Sequence, residues 1–341
     1  MMAEVIIHKT KPNSKNMDYK SIYMDQILEL AEVLYPSKND SEYLKLSEML
    51  MKKIKQVYIE FPWRRTLLEC VGEREFYKLK TNRNQLLIEK DAQSKLHDLN
   101  ISIAGMSVGS SILYGLIGTG IGKNINIADD DIFSTTNLNR VSASLLDVEE
   151  SKVHVAYRRA KEMDPFINLA AFNTRINEAN INEFMFDGSA DIIFEEIDDI
   201  KMKVAFREYA KSNSIPLVML TNIGDIIMID VERYDLNNQL PLFNGHVEQR
   251  VIDNIKSTEI TAKLLNKHAV DIVNEEFLSN KITKSISEIG KTLVGRPQLY
   301  STVAMDSGLA PYLTRRIFID GNLKSGRYSL NLSRIDLSGN L

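Results

Sequence analysis

Cysteine is almost absent: Cys70 is the single one in 341 residues. A disulfide within the chain is therefore impossible, and so is a CxxC zinc pair. A basic surplus is missing too. The 42 Lys and Arg are outnumbered by 46 Asp and Glu, for a formal net charge of −4. That argues against general nucleic-acid binding, which displaces counterions with a basic surface. Local pairs such as Arg64-Arg65 and Arg158-Arg159 do not alter the balance. No stretch approaches the ~20 apolar residues of a membrane helix. The N-terminal Met1-Met2-Ala-Glu-Val-Ile-Ile-His8 lacks the apolar core of a signal peptide. Internal repeats and low-complexity tracts are also missing. These absences point to a cytoplasmic protein without a membrane or nucleic-acid partner.

What is present is ordinary globular material, 44% hydrophobic and 26% charged. The length predicts one large α/β domain with an appendage. Residues 1–80 read as the appendage, helical or mixed, with a turn marker at Pro36-Ser-Lys-Asn-Asp40 and apolar residues from Leu44 to Val57 at helical spacing. It ends in Phe61-Pro-Trp63, where the Trp reads as a packed anchor between domains. Residues 81–341 read as the main domain with a helical C-terminal extension.

Short β-branched runs recur there at Ile101–Ala104, Ile125–Ala128, Leu169–Phe172, Asp191–Phe194 and Leu217–Leu220. Helical patterns lie between them, clearest over Glu149–Met163 and Ile200–Lys211. The alternation predicts right-handed βαβ crossovers and a Rossmann-like, mostly parallel sheet with helices on both faces. Asp225–Val231 and Tyr328–Ser333 read as further strands, Asn237–Phe243 as a loop. Helical stretches are expected over Ile252–Phe277 and from Gly295-Arg-Pro-Gln-Leu299 to about Ile317.

The first run leads into Gly105-Met-Ser107-Val-Gly109-Ser-Ser and then a helix. Glycines there let backbone approach a ligand, and the free N–H groups of a helix start favour a phosphate. The plain alternative is a tight turn needing positive φ. The same residues spell GxSxG, the nucleophile elbow of α/β-hydrolases. That reading needs an acid and a His late in the sheet, but His154 follows the second strand, and His246 and His268 lie beyond the sheet. The Ser also follows the first strand of the pattern, where an elbow sits mid-sheet. A dinucleotide-binding domain is a second alternative, with Asp129 about twenty residues after the glycines. Asp129 would serve the ribose of NAD or of ATP.

The residues after Asp129 discriminate. They run Asp129-Asp-Asp131, then Asn137-Leu-Asn-Arg140, then Lys152 on the next helix, and Asp198-Asp199 after the fourth run. This ordered set, over about Arg83 to Thr221, resembles the ThiF-type, ubiquitin-activating-enzyme-like adenylyltransferases. Taken singly, three adjacent aspartates are usually a solvated turn, and Asp198-Asp199 could cap the helix at Ile200. Their order and spacing carry the resemblance.

The resemblance implies a chemistry in which a carboxylate attacks the α-phosphate of ATP and pyrophosphate departs. Gly105, Ser107, Gly109, Asp129, Asp131 and Asn137 would bind the nucleotide. Arg140 and Lys152 would grip its phosphates, and Asp198 would hold Mg²⁺. Arg83 matches the arginine that such enzymes reach into a partner's site, which implies a homodimer. The chain departs from the pattern in its shorter, glycine-poorer loop, in Asp199 where Asn is usual, and in the absence of zinc-binding cysteine pairs, so no zinc is expected. Cys70 reads as a small packed apolar residue. Two partners fit: the C-terminus of a β-grasp sulfur carrier, or a ribosomal precursor peptide as in microcin- and pantocin-type pathways. The appendage and the missing zinc site favour the peptide. A non-catalytic nucleotide-binding protein stays open.

Overall fold

The computed structural model describes residues 3–14, 16–273 and 279–335. In the N-terminal region β1 (Ile6–His8), β2 (Asp18–Ser21), β3 (Gln56–Phe61) and β4 (Thr66–Val71) form a sheet ordered β1-β3-β4-β2. With it are α1 (Tyr23–Leu34), α2 (Asp40–Met51) and α3 (Glu73–Lys80). The region is thus mixed. The helical pattern read up to Val57 breaks at Met51. Asn39 and Glu42 close a capping box that starts α2, but Val57 and Ile59 belong to β3, which pairs antiparallel with β4. Ile27 and Tyr23 of α1 pack on Val71 of β4, and Cys70 is buried with Ile59 and Phe61. Burial pushes the Cys70 thiol up to about 12, far from the range of a reactive thiolate.

Trp63 ties this sheet to the main domain. Its ring meets Phe61 and Tyr157 edge-on, and its indole N–H donates to Glu162, which also pairs with Arg64 at 2.8 Å. After α4 (Lys90–His97) comes the second sheet. Its elements are β5 (Asn100–Ala104), α5 (Val108–Thr119), β6 (Asn124–Ala128), α6 (Lys152–Met163), β7 (Asn168–Phe172), α7 (Ile181–Phe184), β8 (Ile192–Glu195), α8 (Ile200–Ser212), β9 (Leu217–Ile223) and β10 (Ile226–Glu232). The remaining described elements are α9 (Gln249–Ser257), α10 (Ala262–Val273), α11 (Asn280–Ser287), α12 (Tyr300–Phe318) and β11 (Gly326–Asn331).

The strand order is β11-β10-β9-β8-β5-β6-β7. β7 through β9 run parallel, and β10 and β11 are added antiparallel. The near-continuous Ile and Val runs suit strands buried on both faces. Ile101, Ile103, Ile125 and Ile127 face a core shared with α5, α6 and α12. Ala104, Ala128, Ile193 and Leu217 face Phe184 and Phe206 on the other side. The helix read from Glu149 begins at Lys152, because Glu149 has φ +72 and Ser151 is the N-cap residue. The stretch read over 252–277 is two helices, α9 and α10; residues 274–277 lie outside those described. No described helix is long and apolar enough to cross a membrane.

One topological fact positions the site. The chain builds β5, β6 and β7 outward in one direction, then returns to place β8 on the other side of β5. The order reverses between β5 and β8, and ligands of open α/β sheets bind in the crevice this leaves at the carboxyl ends of the strands.

Candidate active site

The crevice is built around Gly105. It has φ +89, and a Cβ there would overlap the carbonyl oxygen of Glu196, so backbone leaving β5 presses directly on backbone leaving β8. Gly105 N–H donates to Ala128 O at 2.8 Å, and Glu196 N–H to Ala104 O at 2.9 Å. Three strand ends are thereby locked together. Ser107 ends the loop as the residue preceding α5; its hydroxyl oxygen is buried with no hydrogen-bond partner.

A cavity of about 420 Å³ opens at this point, and its walls include Gly105, Ser107, Asp129, Asp131, Lys152 and Asp198. Residues separated by more than 90 positions thus share one space. Asp129 is fixed by two backbone donors, Met106 N–H at 2.6 Å and Asp131 N–H at 2.8 Å. Burial pushes its carboxyl above the usual range, opposed by Lys152 and these two N–H groups. Lys152 Nζ lies 2.6 Å from Asp131 Oδ2, with the lysine side chain 9% exposed and the aspartate 65%. Lys152 N–H also donates to Asp131 O. The first turn of α6 therefore delivers a sheltered ammonium into the cavity.

Asp198 and Asp199 divide their work. Asp199 accepts from Lys201 and Met202 N–H as the N-cap of α8. That leaves Asp198, 91% exposed, with Arg296 as its ion-pair partner at 3.1 Å.

Other residues named from the sequence stand outside the cavity wall. Gly109 faces Ile103 and Met106, where it permits close packing of helix on strand. Asn137 is buried, and its side chain accepts Ser134 N–H in a capping box. Arg140 donates to Thr136 O and Asn139 Oδ1, while its Nε is buried without a partner. Burial lowers its pKa, and the Asp198 charge opposes this. Arg83 is exposed on a turn ahead of α4.

Three features escaped the sequence reading. Arg175, just after β7, lines the cavity and pairs with Asp130 at 3.2 Å. A strand-end position on the third parallel strand was the available signal. Glu195 is fully buried; it accepts from Arg207 and Lys203 and holds Ile197 N–H at 3.1 Å, which fixes the loop carrying Asp198. Glu196, on the cavity wall, accepts Leu220 N–H, and burial together with the Asp306 charge raises its pKa well above the usual value.

The elbow reading does not survive, although one argument against it falls. β5 comes first in this sheet along the chain yet sits inside it, between β8 and β6. The objection from strand position was therefore mistaken. Instead, Ser107 has ordinary right-handed backbone angles, φ −73 and ψ −76, unlike a strained elbow. The residues lining the cavity include no His.

The donor set suits a nucleotide and Mg²⁺. Ser107 offers an unpartnered hydroxyl, Gly105 keeps side-chain atoms away from the loop, and Asp198 presents an exposed hard-oxygen ligand of the type Mg²⁺ takes. Carboxylate oxygens of Asp129, Asp130 and Asp131 also lie within 4.8 Å of one another.

Residues 80–224 match the model of the ThiF family. An uncharacterised protein of Mycobacterium tuberculosis is 32% identical over 273 residues, 80% of this chain and 37% of that protein. A probable molybdopterin-synthase adenylyltransferase of Porphyra purpurea is 33% identical over 114 residues, 33% of this chain and 29% of that one. The chain thus spans 37% of the length of the first of these relatives and 29% of the second. Among solved structures, Escherichia coli MccB with MccA-N7isoASN aligns at TM-score 0.50 and 15% identity, over 92% of this chain and 85% of that one.

Proposed function

We propose that this chain, whose residues 80–224 match the ThiF family model, is an ATP-dependent adenylyltransferase that activates a carboxylate of a peptide or small protein. The observation that carries this is the meeting of Gly105, Asp129, Lys152 and Asp198 in one cavity at the reversal of strand order. The name of the Porphyra purpurea relative supports the same chemistry.

In this reading the ribose hydroxyls of ATP meet Asp129, and the phosphates lie along the Gly105–Ser107 turn towards Lys152 and Arg140. A carboxylate oxygen attacks the α-phosphorus, the bond to the β-phosphate oxygen breaks, and pyrophosphate leaves with the electron pair. Lys152, sheltered from water, is worth more against that charge than a surface lysine. Mg²⁺ held by Asp198 would supply further neutralisation of the phosphates. Asn137 acts by shaping the turn that presents Arg140. Gly109 acts by seating α5.

For the partner, we favour a precursor peptide over a β-grasp carrier. MccB, whose structure contains MccA-N7isoASN, matches across nearly the whole of this chain. Residues 1–80 would then form a separate module holding the peptide, and 81–341 the adenylation domain. We also assign a homodimer. Leu86 and Leu87, beside Arg83, and Leu145 and Leu146, beyond Arg140, are largely exposed, apolar side chains that a second copy would cover, bringing Arg83 towards the partner's cavity.

Hydroxylamine trapping tests the reading. With ATP, Mg²⁺ and its partner, the chain is expected to convert the partner's activated carboxylate to a hydroxamate detectable by mass spectrometry. Binding of NADH in place of ATP would instead establish the dinucleotide reading.

A further inference from the structure

The segment that precedes α12 crosses the rim of the cavity. Asn139 Nδ2 donates to Gln298 O at 2.9 Å, tying the segment to the Asn137–Arg140 turn. Two residues earlier, Arg296 Nη1 lies 3.1 Å from Asp198 Oδ1. On its far side the segment is moored by Thr302, fully buried, whose hydroxyl donates to Gly224 O at 3.2 Å. The backbone is therefore held on the C-terminal side of Arg296, while the Arg296 side chain spans to Asp198, 98 residues away in sequence.

The charges explain what such an arginine is for. Carboxylates outnumber cations on the cavity wall, where Asp129, Asp130, Asp131 and Asp198 face Lys152 and Arg175. Both cations are already engaged, Lys152 by Asp131 and Arg175 by Asp130. Arg140 is tied to Thr136 O and Asn139 Oδ1. A triphosphate entering this crevice needs positive charge that can be redirected. Arg296, 40% exposed and held by one ion pair to a nearly fully exposed aspartate, can be redirected. An ion pair so open to water contributes little to the fold and exchanges partners readily, and a guanidinium binds phosphate oxygens in bidentate fashion.

We propose that Arg296 is a phosphate-binding residue of the active site, supplied from outside residues 80–224, which releases Asp198 and takes the β- and γ-phosphates when ATP binds. This rests on the nucleotide reading above. It assigns the segment before α12 a direct part in selecting ATP over nucleotides with fewer phosphates, and it frees Asp198 for its own ligand in the same exchange.

The test is titration of the full-length chain and its Arg296→Ala and Arg296→Lys variants with ATP and with AMP, in Mg²⁺. Expected is an ATP dissociation constant raised at least about tenfold in Arg296→Ala, the scale of one lost charge-assisted contact, with AMP affinity within about twofold and partial recovery in Arg296→Lys. Equal losses for ATP and AMP, or unchanged ATP affinity, overturn the assignment. If the wild-type chain binds no ATP at all, the nucleotide reading fails first, an outcome distinct from a wild type that binds ATP and a variant that does so equally well.

Discussion

Gly105 and Glu196 touch backbone to backbone, and no side chain fits between them. The contact joins the end of β5 to the end of β8 and so forms the floor of the cavity. Alanine at 105 would meet both a positive φ and the Glu196 carbonyl. We expect Gly105→Ala to cost about 2–4 kcal/mol, from left-handed strain plus the displaced strand end. Chemical denaturation measures this, and a variant as stable as wild type would contradict the packing described.

Adjacent aspartates should behave in opposite ways. Asp199 caps α8, so Asp199→Ala should lose about 1 kcal/mol of stability. Asp198 makes no such bond, so Asp198→Ala should melt like wild type yet fail to turn over ATP. Thermal melting beside an ATP-turnover assay separates the two.

Lys152→Ala should reduce turnover by roughly 10²–10³-fold, the usual cost of a lost preorganised donor in a dry site. The accompanying stability loss should stay near or below about 1 kcal/mol, because Asp131 regains water. A variant that loses activity only in proportion to its folded fraction would demote Lys152 to a structural residue.

Beneath the crevice, Arg207 bridges Glu195 and Glu232 at 2.8 and 2.7 Å, with all three side chains fully buried. Its guanidinium also lies over the Phe243 ring. Arg207→Met leaves buried Glu232 without its cation and Glu195 with Lys203 alone, and should cost about 3–5 kcal/mol. Denaturant unfolding is the measurement, and a near-neutral result would show that the network is dispensable.

Asp306 gives the pH dependence. It is fully buried in α12, accepts from Asn222 at 2.7 Å, and has its other oxygen unpartnered. Burial pushes its carboxyl up to about 7, against the Asn222 hydrogen bond. Because the folded pKa lies above the unfolded one, its contribution is fully present below about pH 4 and is lost as pH rises through about 7. Asp306→Asn should therefore stabilise the chain at pH 8, by on the order of a few kcal/mol at most, and flatten the stability profile between pH 4 and 7. An unchanged slope would contradict the assignment.

Much of this architecture was readable in advance because its signals are local. The apolar runs mark β5 to β8 to within one residue at each end and β9 three residues short, since buried strands tolerate little else. Asp129 directly follows β6, Asp198 follows β8 by three residues, and Lys152 opens α6. The N-terminal sheet was not legible: β1 and β2 are short edge strands, largely exposed, with no alternation to read. Arg175, Arg296 and Asp306 were missed because their meaning lies in partners 45, 98 and 84 residues away. The bond from Ser134 N–H to Asn137 Oδ1 is local, between residues three apart.

The most direct measurement is exchange of labelled pyrophosphate into ATP by the full-length chain, with and without its carboxylate partner. The account predicts exchange that requires the partner and disappears in Lys152→Ala and Asp198→Ala. Tight ATP binding without exchange, whatever peptide or carrier C-terminus is supplied, would contradict it and leave a nucleotide-binding protein without adenylylation chemistry.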